Sequence, residues 1–150
     1  MSFQEKNITV SLVNFILIWG FYLIRVFQMI QGGSFNSTNV FRLWGIVIAM
    51  AVVVTIFATI LTHIVSAIIQ AIKTKGEPNI EDIADERDRL IDLRGTKVTY
   101  FVSSIGVFLS MLTFVLGQPP LVMFTLLIFF GVVAQIIGDI SRLYLYRRGF

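Results

Sequence analysis

Four long apolar stretches constrain what this chain can fold into more than any other feature of its sequence. They lie at residues 8–30, 42–72, 98–116 and 121–140, and each meets or approaches the roughly 20 apolar residues that a helix needs to cross a membrane. Hydrophobic residues make up 56% of the chain and charged residues 14%, against about 45–50% and about 25% in soluble domains. The sequence therefore predicts a single membrane domain, an all-α polytopic protein with four transmembrane helices in an up-down bundle.

The second stretch is longer than a bilayer requires. A helix over residues 42–72 would be about 45 Å long, whereas the hydrocarbon core of a bilayer is about 30 Å thick. We therefore expect this helix to tilt, or to project beyond the membrane by about two to three turns.

A charged segment, residues 73–97, separates the two apolar halves. Gly76 and Pro78 are expected to end the second helix, and Asn79 is placed to cap a new one. Apolar residues then recur with helical spacing, which predicts a short amphipathic helix on the cytoplasmic side of the membrane. Residues 141–150 are predicted to form a cytoplasmic tail.

Lysine and arginine are distributed unevenly among the predicted loops. Of the 12 Lys and Arg residues, only Arg25 and Arg42 lie on the side opposite the charged segment. Cytoplasmic loops are enriched in these residues, so we predict a multi-pass protein of the cell membrane with its N- and C-termini in the cytoplasm. The same distribution explains the net charge of +3. The lipid bilayer is therefore an expected partner, and nucleic acid is not.

The charged segment supplies the first candidate site, a surface for docking a partner. Asp85, Asp88 and Asp92 fall on one helical face as like charges, so we expect them to lie against a counter-charge. That counter-charge is either the tail from Tyr146 to Gly149, a cation or an unidentified protein. A solvated helix with internal salt bridges is the alternative, and no metal site is predicted. The candidate docking residues are Asp85, Glu86, Arg87, Asp88, Asp92, Arg94, Arg147 and Arg148.

The second candidate site is a polar layer inside the membrane. Asp139 is the only acidic residue within a predicted span, and Arg142 lies three residues later. An ionisable residue in a membrane usually has a partner or a function, and the spacing favours a structural ion pair. Such a layer holds helices together, or it forms a small pocket in which His63 titrates near neutral pH. Its predicted members are Asn14, His63, Tyr100, Gln135, Asp139 and Arg142.

Small residues form a seam along each of the last two predicted helices. Seams of this kind let helix backbones approach closely in membranes, so we expect the two to face each other or to form a homodimer. The seam residues are Ser103, Gly106, Ser110, Thr113 and Gly117 on the third helix, and Gly131, Ala134, Gly138 and Ser141 on the fourth.

The residues exclude most catalytic templates. The chain has one histidine and no cysteine, and it lacks a nucleophile elbow, a phosphate-binding glycine loop and a dinucleotide fingerprint. We therefore predict neither an enzyme nor a cofactor. The leading prediction is a non-enzymatic regulatory or partner-docking module that uses the charged helix. The alternatives are a small-solute or ion permease formed by an oligomer, with Asp139 and His63 along its path, and a purely structural membrane protein.

Two short motifs carry a resemblance to a known family. The run from Asp85 to Gly95, followed by Tyr100 and by the tail from Leu143 to Gly149, resembles a family of small prokaryotic four-helix membrane proteins of unknown function. The resemblance implies an Asp-Glu-Arg-Asp motif at Asp85–Asp88 and a Tyr-Arg-Arg-Gly ending at Tyr146–Gly149. It supplies no activity, cofactor or substrate. Our own interpretation of the sequence is a protein of the inner membrane.

Overall fold

The computed structural model describes residues 3–74 and 86–148, which form four helices. They are α1 (Phe3–Gln31), α2 (Ser37–Thr74), α3 (Glu86–Val115) and α4 (Pro120–Arg148). All four helices are long and apolar enough to cross a membrane. The prediction of an all-α chain with four such helices is therefore confirmed.

Local sequence signals explain where the first and third helices end. Gly33 and Gly117 have φ angles of 63° and 84°, a left-handed conformation that glycine adopts without steric cost. The amide of Gln118 donates to the carbonyl of Thr113 at 3.1 Å, and the Gly117 amide donates to Phe114 at 3.0 Å. These two bonds form the Schellman motif that closes a helix C-terminus.

The start of α2 is also set by a local signal. The side-chain oxygen of Asn36 accepts a hydrogen bond from the Asn39 amide at 2.9 Å. This contact satisfies one of the free amides at the helix N-terminus, as an N-cap residue does. The polar loop after α1 therefore joins the first two helices through defined capping contacts.

The helices extend further than the apolar stretches predict. α2 has 38 residues, or about 57 Å, so residues 42–72 do form one uninterrupted helix. α3 already begins at Glu86, and residues 86–97 are its first turns. The separate short amphipathic helix is therefore not confirmed, and Asp85 lies outside the described residues. α4 continues to Arg148, so most of the predicted tail is helical. Extending an existing helix avoids the cost of nucleating a new one.

The described helices pack in the spatial order α3, α4, α1, α2. α2 contacts α4 only slightly, and the centre of the packing lies between α1, α2 and α4. Large apolar side chains such as Phe57, Phe101 and Phe108 are 65–68% exposed. An apolar outer surface of this kind suits a lipid environment. The buried core cluster comprises Ile18, Tyr22, Leu43, Val47 and Val132.

Small residues bring α3 and α4 together. A Cβ atom at Gly106 would overlap the side chain of Phe130, and one at Gly138 would overlap Thr99. Ser110, which belongs to the α3 seam, is fully buried. Glycines of both seams thus lie in the α3–α4 contact, but the residues opposite them, Phe130 and Thr99, belong to neither seam. Gly131 is different, because it is exposed and a Cβ there would meet no atom within 4 Å.

Candidate functional site at the charged ends of the helices

Arg142 of α4 is the centre of a hydrogen-bond network at one end of the molecule. Its Nε donates to Asp92 at 2.9 Å, its Nη1 to Asp139 at 3.0 Å, and its Nη2 to the Thr96 hydroxyl at 2.9 Å. The Arg142 side chain is only 13% exposed. It reaches α3 because Gly95 has no side chain, and a Cβ there would overlap Arg142. One guanidinium therefore connects two acids on two helices.

Asp139 is the buried member of this network. The residue is 4% exposed, and its second oxygen accepts a hydrogen bond from the Ser11 hydroxyl of α1 at 2.7 Å. Both carboxylate oxygens are thus satisfied, as a buried acid requires. The predicted ion pair between Asp139 and Arg142 is confirmed. Ser11 extends the network to a third helix.

The charged turns of α3 contact the last turns of α4 at a second point. The Tyr146 hydroxyl donates to Asp88 at 2.7 Å, and Arg87 donates to the Tyr146 carbonyl at 3.4 Å. The predicted contact between the charged segment and the tail is therefore confirmed for Asp88. The predicted counter-charge differs, because Arg142 contacts Asp92 while Arg148 stacks over the Tyr144 ring at 5.1 Å.

A polar cavity of about 430 Å³ lies beside this network. All four helices contribute to its wall, and its size falls within the range of small-molecule sites, about 300–1,000 Å³. Within residues 3–74 and 86–148, no group of three His, Cys, Asp or Glu side chains is placed to hold a metal ion. The polar and charged lining residues are Gln4, Asn7, Ser11, Thr55, Thr59, Asp88, Arg89, Asp92, Gln135, Asp139, Arg142 and Tyr146.

The structure brings together only part of the predicted polar layer. Gln135, Asp139 and Arg142 line the cavity. Tyr100 is 72% exposed and Asn14 is half-buried, and neither is among the lining residues. The backbone at residue 63 belongs to α2, but the His63 side chain lies outside the described residues.

Sequence reasoning missed several polar residues of this site. Gln4 and Asn7 lie seven and four residues before Ser11, so the three form one polar face of α1. That periodicity was the available signal. For Thr96 there was no such signal, because its partner Arg142 is distant in the chain.

The predicted docking residues fall into two groups. Arg87, Asp88 and Asp92 contact α4 within the chain. A second, overlapping group is exposed in the described part of the chain, namely Glu86, Arg87, Asp92, Arg94, Arg147 and Arg148. This exposed group carries more positive than negative charge, so it complements an acidic surface.

Hydrogen-bond donors and acceptors, together with positively and negatively charged side chains, line the cavity, and a basic outer surface lies next to it. Such an arrangement is suited to binding a ligand or a partner. Comparisons of the chain with protein-family models, with curated proteins and with solved structures found no match.

Proposed function

We propose that this protein is a non-enzymatic docking module of the cell membrane, which binds an acidic protein partner through the charged ends of α3 and α4. The observation that carries the proposal is the double connection between these ends, through Asp88 with Tyr146 and through Asp92 with Arg142. These contacts hold the exposed arginines in one arrangement before a partner binds. Such preorganisation reduces the entropy lost on association.

The proposal includes an orientation and a bundle topology. The four helices run up and down across the inner membrane of a prokaryotic cell, with both termini and the charged ends in the cytoplasm. The excess of Lys and Arg at that end supports this orientation. Contacts of Ser11 with Asp139 and of Tyr22 with Thr125 support an antiparallel pairing of α1 and α4.

A site-specific crosslinking experiment tests the docking role. A photoreactive residue is placed at Glu86 or at Arg147, both exposed at the charged end. The matched control carries it at Phe108, which is 65% exposed on the apolar surface. We expect the same crosslinked protein from both charged positions and none from Phe108. Substitution of Arg87→Glu together with Arg148→Glu should remove the crosslink, and a crosslink that survives this charge reversal would contradict the proposal.

The second candidate function is a small-solute or ion permease formed by an oligomer. The observation that favours it is the cavity of about 430 Å³ with the buried Asp139 in its wall. Reconstituted flux is the test. Solute or ion flux into liposomes that is abolished by Asp139→Asn would support a permease, whereas absence of flux or flux unchanged by Asp139→Asn would reject it.

A purely structural role is the third candidate, and it requires that both experiments are negative. A homodimer through small-residue seams also belongs to the proposal.

A further inference from the structure

A groove runs along the membrane-facing part of the molecule between α2 and α4. It exists because these two helices contact each other only slightly, and Phe15 of α1 completes its wall. Its volume is about 350 Å³, and its lining is apolar except for Gln135. The other residues along it are Trp44, Val47, Ile48, Ala51, Leu127, Ile128, Gly131 and Val132.

The groove and the polar cavity adjoin at Gln135, which lines both. From Gln135 the groove extends along α4 to Leu127, eight residues earlier, or about 12 Å of helix. One leaflet of a bilayer with a hydrocarbon core of about 30 Å has a depth of about 15 Å. The polar cavity therefore lies at one end of an apolar groove, and the groove is long enough to span most of one leaflet.

We propose that this combined site binds one phospholipid whose headgroup carries a primary ammonium, that is, a phosphatidylethanolamine. Its phosphoethanolamine headgroup occupies the cavity, and an acyl chain lies in the groove. An occupant of this kind matches both parts of the site, whereas a hydrophilic solute would leave the groove unused.

The charges in the cavity favour a zwitterionic headgroup. Arg142 pairs with both Asp139 and Asp92, and Asp88 and Arg89 are the remaining charges of the lining. Asp88 and Asp92 each contact α4 through Oδ1, so their Oδ2 atoms are the available acceptors for an ammonium group. The exposed Arg89 guanidinium is the donor for the phosphate.

The headgroup chemistry separates this lipid from the other common ones. A primary ammonium donates three hydrogen bonds to carboxylates, whereas the quaternary ammonium of phosphatidylcholine donates none. Phosphatidylglycerol has no cation to place against Asp88 and Asp92. The lipid site does not depend on the docking role, because it needs only that the helices lie in a membrane.

Native mass spectrometry of the full chain, delipidated in detergent, tests the proposal. The three lipids with identical acyl chains are added separately, and bound lipid is counted against concentration. We expect one phosphatidylethanolamine per chain to bind more tightly than the other two lipids. Soluble phosphoethanolamine is expected not to displace it, since it lacks the chain that fills the groove. Equal binding of all three lipids, preference for phosphatidylglycerol, or displacement by phosphoethanolamine would overturn the proposal.

Two variants with matched controls locate the site. Gly131→Leu fills the groove where a Cβ meets no protein atom within 4 Å, and it should abolish the preference. Its control is Gly45→Leu, which has the same open surroundings outside the groove and should bind as the unmodified chain does. Arg89→Gln should weaken binding about fivefold, the effect of losing one exposed charge pair. Its control, Arg147→Gln, should not weaken binding.

Thermal unfolding in the same detergent shows whether each variant is folded. The proposal is overturned if folded Gly131→Leu keeps the preference, or if both arginine variants weaken binding equally. If Gly131→Leu does not fold, the proposal is tested by the relative affinities of the three lipids and by the comparison of Arg89→Gln with Arg147→Gln.

Discussion

The two acids that share Arg142 should contribute very differently to stability. The Asp139 side chain is 5% exposed and that of Asp92 is 71% exposed, although both lie within 3.0 Å of the same guanidinium. Removing one partner of a buried pair leaves an uncompensated charge, which costs about 3–5 kcal/mol. An exposed pair contributes about 0–1 kcal/mol. We therefore expect the burial of each acid, and not its distance from Arg142, to determine how much the ion pair contributes to stability.

Three substitutions measure this difference. Arg142→Met leaves the buried Asp139 carboxylate with Ser11 as its partner, so we expect a loss of about 3 kcal/mol in the free energy of unfolding. Asp92→Asn should cost less than about 1 kcal/mol. In the double variant Arg142→Met with Asp139→Asn, the buried charge is gone, and about 2 kcal/mol of the loss should be recovered. A coupling of that size is usual for residues of one network.

Unfolding by SDS in mixed micelles, followed through helical circular dichroism, supplies these free energies. The same curves for Asp139→Asn alone complete the thermodynamic cycle. The reasoning is refuted if Asp92→Asn destabilises the chain as much as Arg142→Met does. It is also refuted if the double variant is no more stable than Arg142→Met, because Asp139 would then not depend on the arginine charge.

Three further outcomes are expected. Gly106→Leu should lower the unfolding free energy by about 1–3 kcal/mol in the same SDS assay, because its side chain would overlap Phe130 across the α3–α4 contact; an unchanged value would contradict that packing. Tyr146→Phe removes the hydroxyl that donates to Asp88 and should cost about 1 kcal/mol, with faster amide exchange in the last turn of α4; unchanged exchange would show that this contact does not hold the helix ends together. Because the chain has no cysteine, a Ser34→Cys variant should react with a membrane-impermeant maleimide from outside intact cells, and labelling only after lysis would reverse the proposed orientation.

Much of the fold could be predicted from hydropathy and capping signals. The four apolar stretches each became a helix, and Gly33 and Gly117 occupy the C-terminal caps that glycine favours. The ion pair of Asp139 with Arg142 could be predicted because its members are three residues apart on one helix. The separate amphipathic helix was predicted from a candidate N-cap at Asn79 and from apolar residues that recur with helical spacing after it. In the structure, α3 is one continuous helix from the charged residues at Glu86 to the apolar residues that follow.

The candidate site was only partly predictable, since most of its contacts join different helices. Arg142 contacts Asp92 and Thr96 across 50 and 46 residues, and Ser11 reaches Asp139 across 128. Which arginine meets which acid depends on the register of α3 against α4. That register is set where glycine permits close approach, at Gly95, Gly106 and Gly138.

The sequence by itself determined the number of helices, where several of them end and their apolar surface, because hydropathy and caps act over a few residues. Only the tertiary structure decided that Arg142 serves two acids, and that a polar cavity adjoins an apolar groove at Gln135. These features arise from how far apart the packed helices lie. α3 approaches α4 closely at its glycines, whereas α2 makes only a few contacts with α4, such as the hydrogen bond from the Trp44 indole to the Phe124 carbonyl.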